Sequence, residues 1–526
     1  MPSFSSSKRL DVSPARPLST KRSLTRAALR NPSPPSSSGP EINGLTNSIG
    51  DLKVANSTHK LAIDIIIVGG GIGGLASAFA LARGGHRVQV LETKHGLHQV
   101  PSNLILVKCG IRIPPNMTKI LLDFGLQDIV KGSLRCRKSK FHSLETGELA
   151  GALEWQEDII REAGAEFLIM HHNDLQEALY KLAIAAGVVV HFKSTVQEVF
   201  FDQEKQRPTV ILEEGGTRMS ADVVVGADGS CSKVREYVAP EADGGVETNH
   251  SFYTVTVPVS EMQKDPDLSD FASLPEWPIW MGNSRSAFGY PIRGGKEYSL
   301  HVYWPDEGLR HCEQVEEGWN ITVPTNIINF DGHDSKIQRL FNLADTALRT
   351  KVVQRKSAED WLDDSGTVLL IGEAAHPLMP CTMQNSSLAT EDAAVLGSLM
   401  SHLSSRDQIP QLLEAFQEIR QARCLQVQES ESRNAMLVTL PPGEDREMRD
   451  AGMARSLQVD TTWDDSMLRE QWEEIGEVFG YNATEAAEDW WIKWGVLGNA
   501  VEQPIRPPLE LVFQVTEVAI TESYSP

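Results

Sequence analysis

The chain has 526 residues, a formal net charge of −22, 41% hydrophobic and 23% charged residues, the composition of a multidomain globular protein. It contains no apolar run of the ~18–20 residues a membrane span requires and no apolar signal-peptide core. Its six cysteines form no Cys-x-x-Cys pair, which argues against a zinc site, an iron–sulfur site or a disulfide scaffold and for a reducing, intracellular setting.

Residues 1–40 carry seven Lys/Arg against one acid, so the rest of the chain holds −28. An acidic body repels phosphate backbones, and nucleic acid is not an expected partner. The first 40 residues are rich in Ser and Pro, and residues 1–58 read as a disordered leader of a cytoplasmic protein or, alternatively, as a mitochondrial presequence. Beyond them the pattern predicts a strand over Ala62–Val68, a turn at Gly69–Gly74, a helix over Leu75–Arg83 and a strand over Arg87–Glu92. A helix follows at 117–125, and Asn173 or Asp174 is the expected cap of another running to Ala186. Strands are expected at Val188–His191, Thr195–Phe201, Thr209–Leu212 and Met219–Val225. From about 245 to 305 the alternation is aromatic and predicts an antiparallel sheet. Thr367–Ile371 reads as a buried strand, Leu388–Leu403 as a helix, and 410–500 as mostly helical.

Strand, Gly69-x-Gly71-x-x-Gly74 and helix form a phosphate cradle. The first glycine permits a tight turn, the second lets backbone approach a pyrophosphate, and the third lets helix pack on strand. Glu92, at the end of the next strand, is placed to accept hydrogen bonds from an adenosine ribose. The plainer readings are a glycine-rich turn and a solvated strand-end carboxylate.

Two later segments separate FAD from NAD. Asp222–Arg235, containing Gly226-Ala227-Asp228-Gly229, and Leu369–Pro380, containing Gly372-Glu373-Ala374-Ala375-His376-Pro377, resemble the DG and GD segments of the group A flavoprotein monooxygenases. This is the fungal salicylate-hydroxylase-like family with the para-hydroxybenzoate hydroxylase fold. Pro114-Pro115-Asn116, Tyr290-Pro291-Ile292, Glu391-Asp392 and the Tyr481…Trp490-Trp491 tail extend the likeness over about 60–500.

The resemblance implies an α/β protein: a Rossmann-like FAD-binding domain, a mixed antiparallel substrate-binding sheet and a helical C-terminal region. The corresponding divisions are 59–240 and 355–405 for FAD, 241–354 for the sheet and 406–526 for the helical region and tail. It implies tightly bound FAD, reduced by NADH or NADPH, and O2 as co-substrate. Through a flavin C4a-(hydro)peroxide such an enzyme hydroxylates or epoxidises a small molecule, here a medium-sized aromatic, polyketide- or terpenoid-like compound of fungal secondary metabolism.

The implied cofactor contacts are Gly69, Gly71, Gly74, Glu92, Asp228, Gly229 and Glu373, with His172 and Asn385 conditional. Pro380 resembles the proline near the oxygen-reaction face, or simply shapes its turn. His376 is a catalytic candidate whose plainer role is holding its loop. Tyr253 is a further catalytic candidate, and His250, Thr254 and Tyr290 are candidate pocket groups, each otherwise an ordinary sheet residue. Trp490, Trp491 and Trp494 read as packing. No histidine spacing matches a metal site.

Four positions depart from the family pattern: Glu373 for Asp, Asn385 for Gly, His172 for Arg, and Thr254 for an Arg that would hold a phenolate or carboxylate. They keep an alternative open, a non-redox cyclase or isomerase using the pocket with FAD lost or merely structural.

Overall fold

The computed structural model describes residues 61–97, 109–155, 157–241, 245–306, 320–457 and 475–495. The expected leader, 1–58, lies outside the described residues.

Apolar, β-branched runs build a five-stranded parallel sheet in the order Val368–Leu370, Val223–Gly226, Asp64–Val68, Arg87–Glu92, Val189–Phe192. Val368–Leu370, Val223–Gly226 and Asp64–Val68 are almost wholly buried, as a parallel sheet covered by helices requires, while Val189–Phe192 is a partly exposed edge. The Ile72–Arg83 helix packs on the Asn385–Met400 helix. Their approach is close: a Cβ added at Gly397 would lie 2.6 Å from Ala80 Cβ.

The second large sheet has eight strands, ordered Asn320–Pro324, Thr346–Gln354, Val246–Pro258, Glu297–Pro305, Arg285–Ile292, Glu276–Gly282, Lys138–Ser143, Leu149–Glu154. Neighbours are antiparallel except Glu276–Gly282 with Lys138–Ser143. This sheet therefore draws two strands from the 59–240 segment assigned by sequence to the FAD-binding part. One face packs on a core that includes Tyr253, Trp280 and Leu300. The other carries Phe252, Ile279, Phe288 and Tyr290.

Three local expectations are corrected. Met219–Val225 is split: Arg218–Ser220 joins a small antiparallel sheet, while Val223–Gly226 enters the parallel one. The His172–Ala185 helix starts earlier than Asn173 or Asp174 would cap it, because the His171 side chain accepts the Asn173 N–H at 3.1 Å. Trp494 is 59% exposed rather than packed. The C-terminal region is helical over Ile409–Val438, Glu444–Ala454 and Ala483–Trp490. No helix among the described residues is long and apolar enough to cross a membrane.

Candidate active site

The Asp64–Val68 strand ends in a turn where Gly69 takes φ +105° and its N–H donates to Leu91 O at 2.8 Å. A side chain at Gly74 would place Cβ 2.0 Å from Gly69 O, so helix packs directly on strand. Gly71 differs: its φ is −73°, and an added Cβ would meet nothing within 4 Å. Open space before the free N–H groups of a helix start is what a pyrophosphate needs. Glu92 accepts the Gly70 and Lys94 N–H groups, each at 2.9 Å. Beside it runs a narrow cleft lined by Gly70, Glu92, Lys94, Gln176 and Tyr180.

Two groups here escaped the sequence reading. Gln176 donates to Gly70 O at 2.9 Å; its signal was its position one helical turn beyond His172. Lys94 is the cation whose field reaches His172. His172 itself is held down at about 4 by burial, against the opposing pull of Asn173. It is neutral at pH 7 and carries none of the charge of the arginine it replaces.

The other two segments converge on this turn. Gly229 has φ +78°, and a Cβ added there would lie 4.0 Å from Glu373 Oε2. Glu373 is half-buried, its carboxyl is raised by burial, and it makes no hydrogen bond to the described residues. Such a carboxylate is ready for a ligand's hydroxyl donors. Asp228, by contrast, is engaged by its own loop. It accepts the Ser232 hydroxyl and the N–H groups of Lys233 (2.8 Å) and Val234 (3.3 Å), capping the helix that follows. Its backbone adjoins the cradle: a Cβ added at Gly69 would lie 3.0 Å from Asp228 Cα.

His376 is likewise a positioning group and does not line the cavity described below. It is 2% exposed, and its Nε2 lies 2.7 Å from Asp392 Oδ2, which also accepts the Gly372 N–H at 2.8 Å. Burial disfavours its charge, but Cys424 and Asp392 overcome that and lift it to about 10. Behind it, Arg420 pairs with Asp392 and Glu391, both at 2.8 Å, and Arg423 pairs with Glu391 at 3.2 Å. Asn116 donates to Glu391 at 2.7 Å, and the Tyr481 ring lies 4.3 Å from the Arg423 guanidinium. His376, Asp392 and Cys424 cluster as metal ligands do. Arg420, 3.7 Å from Cys424 Sγ, already supplies the positive charge there.

Asn385 does not stand free at its helix start. Its Nδ2 donates to Met379 O at 3.1 Å, tying together the loop that carries Pro380, while its Oδ1 is buried without a partner. Within that loop Cys381 takes φ +59°, an uncommon conformation for a residue with a side chain.

On the eight-stranded sheet, strand alternation decides which candidates face the site. Tyr253 points to the far core and donates to Asp306 at 3.0 Å, which also pairs with Arg349 at 2.9 Å. It is a structural residue, not a catalytic one. Its neighbour Thr254 lies on the opposite face, where Oγ1 sits 3.0 Å from His301 Nδ1. His301 Nε2 meets the Tyr290 hydroxyl at 3.2 Å, and burial lowers the imidazole to about 3. His250 stacks on Tyr303, ring centroids 4.8 Å apart, with Nε2 unpartnered.

This face walls a cavity of about 2100 Å³ together with Met379, Cys381 and Met383 from the loop after Glu373. Phe252, Trp277, Phe288 and Tyr303 line it. So does Arg112, whose guanidinium lies 4.5 Å from the ring centroids of both Trp277 and Phe288. The sequence carried no signal for Arg112 beyond its place just before Pro114-Pro115-Asn116.

The fold and the glycine cradle are those expected of a flavin-dependent monooxygenase, and comparison with known proteins agrees. A family model described as an FAD binding domain matches residues 62–431, and the chain belongs to that family as a flavoprotein monooxygenase. It is 26% identical over 432 residues to the FAD-dependent monooxygenase OpS4 of Beauveria bassiana, spanning 81% of this chain and 96% of that one. It is 27% identical to a 3-hydroxybenzoate 6-hydroxylase of Polaromonas naphthalenivorans, over 70% and 87% of the two chains. Among solved structures, a salicylate hydroxylase substrate complex aligns with TM-score 0.62 at 19% identity, covering 81% of this chain and 97% of its own. CtdE in complex with FAD and a substrate aligns at 0.65 and 18% identity, covering 83% and 100%.

Proposed function

We propose that the chain uses NADH or NADPH and O2 to hydroxylate or epoxidise a medium-sized aromatic, polyketide- or terpenoid-like molecule in fungal secondary metabolism. One observation carries the reading: the loop bearing the unpartnered Glu373 carboxylate continues into the wall of the aromatic cavity. A ring system held along Gly71, Gly229 and Glu373 would thus face the space where a substrate lies. Bound FAD supplies the electron storage and oxygen activation that protein side chains lack. The chain's own groups bind and orient. The open turn at Gly71 takes the pyrophosphate, Glu92 and Glu373 accept hydroxyl hydrogens, and the Asn385–Met379 bond sets the loop height. Apolar walls at Phe252, Phe288 and Met379 exclude water from the reacting face.

Fungal relatives named as FAD-dependent monooxygenases support the metabolic setting, and bacterial relatives named as 3-hydroxybenzoate 6-hydroxylases support an aromatic substrate class. The test is turnover by the full-length protein with candidate aromatics. Oxidation of NAD(P)H, uptake of O2 and incorporation of one atom of isotopically heavy O2 into product are expected. Anaerobic conversion without nicotinamide would replace this reading with the cyclase or isomerase.

A further inference from the structure

Arg112 lies on the Gly110–Ile113 strand, is 6% exposed and lines the cavity. Burying a guanidinium is costly unless its charge and donors are met. Here Trp277 and Phe288 present ring faces to it, and one NH2 donates to Cys381 O at 2.6 Å. Its charge and a hydrogen bond also reach the Tyr290 hydroxyl, and it forms no ion pair with the described residues. The carboxylate that responds to its field, Glu431, is itself buried and takes the Met383 N–H at 3.2 Å. Arg112 is therefore a cation in an aromatic frame with donors left over, beside open space.

The place matters as well. Cys381 senses both the Thr254 hydroxyl and the Arg112 charge, so Arg112 stands one side chain away from the position where this chain lacks the family's arginine. We propose that Arg112 is the substrate anchor. It binds an anionic oxygen, a carboxylate or an ionised phenol, on a planar conjugated substrate whose ring packs among Trp277, Phe288 and Phe252. A planar fork with several donors suits such an oxygen, and flanking rings suit a flat ligand. The assignment rests on the cavity's being the substrate site of the proposed oxygenase and narrows its substrate class.

The test uses the full-length protein as purified and two probe sets, read by quenching of tryptophan fluorescence. 2-Naphthoate is compared with neutral 2-naphthamide, and 4-nitrophenol is titrated on both sides of its ionisation. At least one anionic form is expected to bind about tenfold or more tighter than its neutral counterpart, and which one distinguishes carboxylate from phenolate. Arg112→Gln should erase that preference while leaving affinity for 2-naphthamide unchanged, and Arg112→Lys should restore part of it. Equal binding of anionic and neutral forms by the wild-type protein overturns the proposal, as does a preference that survives in Arg112→Gln. The wild-type comparison stands even if the variants fold poorly. Flavin content, measured separately, reports on the oxygenase reading alone: a flavin-free protein that still prefers the anion sinks that reading and keeps this one.

Discussion

The glycine cradle and the aromatic wall meet in one site but are built in opposite ways. In the cradle the working groups are backbone N–H donors, and side chains matter mainly by their absence. Gly69, Gly71, Gly74 and Glu92 fall within a single strand–turn–helix–strand unit. On the wall the working groups are side chains gathered from distant strands and one loop: Arg112, Trp277, Phe288, Tyr303 and Cys381. A site that works through local backbone has no room for added atoms where that backbone meets its neighbours or its ligand, whereas one built from side chains tolerates substitution and changes specificity. Cofactor binding should therefore be brittle and substrate choice plastic.

The largest effect expected from that contrast is at Gly74. Gly74→Ala forces a Cβ to 2.0 Å from Gly69 O, a distance only backbone movement can relieve. Flavin content of the purified variant should fall more than about tenfold and its yield of folded protein should drop. Next is the charged cluster that braces both regions. Arg420→Met leaves Glu391 and Asp392 buried with one cation fewer and should cost about 3–5 kcal/mol in urea unfolding.

The same cluster gives stability a pH dependence. His376 is lifted from 6.5 to about 10, so its contribution is complete below pH 6.5 and is lost as pH rises through about 10. Asp392 is lowered from 3.8 to about 2, burial being overcome by His376 and Arg420; its contribution is complete above 3.8 and is lost as pH falls through about 2. Melting temperature should thus decline from pH 6.5 towards 10, and His376→Gln should flatten that decline. The smallest effect is on the wall's reverse side. Tyr253→Phe removes one hydrogen bond to Asp306, should cost about 0.5–1.5 kcal/mol and should leave kcat/KM unchanged. A large loss of activity there would mean that the alternation places Tyr253 wrongly.

The contrast also explains what could be read from the chain alone. The Arg87–Glu92 strand and the three glycine roles were legible because each depends on residues a few positions apart. The cap made by Asp228 was not legible, because its donors Ser232, Lys233 and Val234 meet it only once the turn at Gly229 has formed. Tyr253 and Thr254 are adjacent, and only the pairing of their strand with Glu297–Pro305 and Thr346–Gln354 shows which of them shares the sheet face of the cavity-lining Phe252; neither lines the cavity itself. Arg112 was invisible because its meaning comes from Trp277, Phe288 and Cys381, each more than a hundred residues away. The absence of an arginine at 254 was legible; the presence of Arg112 on the cavity wall was not.

The central claim is that the space in front of Gly71 is kept for the cofactor and for nothing else. The deciding measurement is the FAD stoichiometry of Gly71→Ala beside wild type, with the melting temperature of each flavin-free protein as control. An alanine at φ −73° with nothing within 4 Å of its Cβ leaves the empty fold undisturbed, so matching melting temperatures and a flavin content reduced tenfold or more are predicted. A variant that melts like wild type and keeps its full complement of FAD would contradict the account.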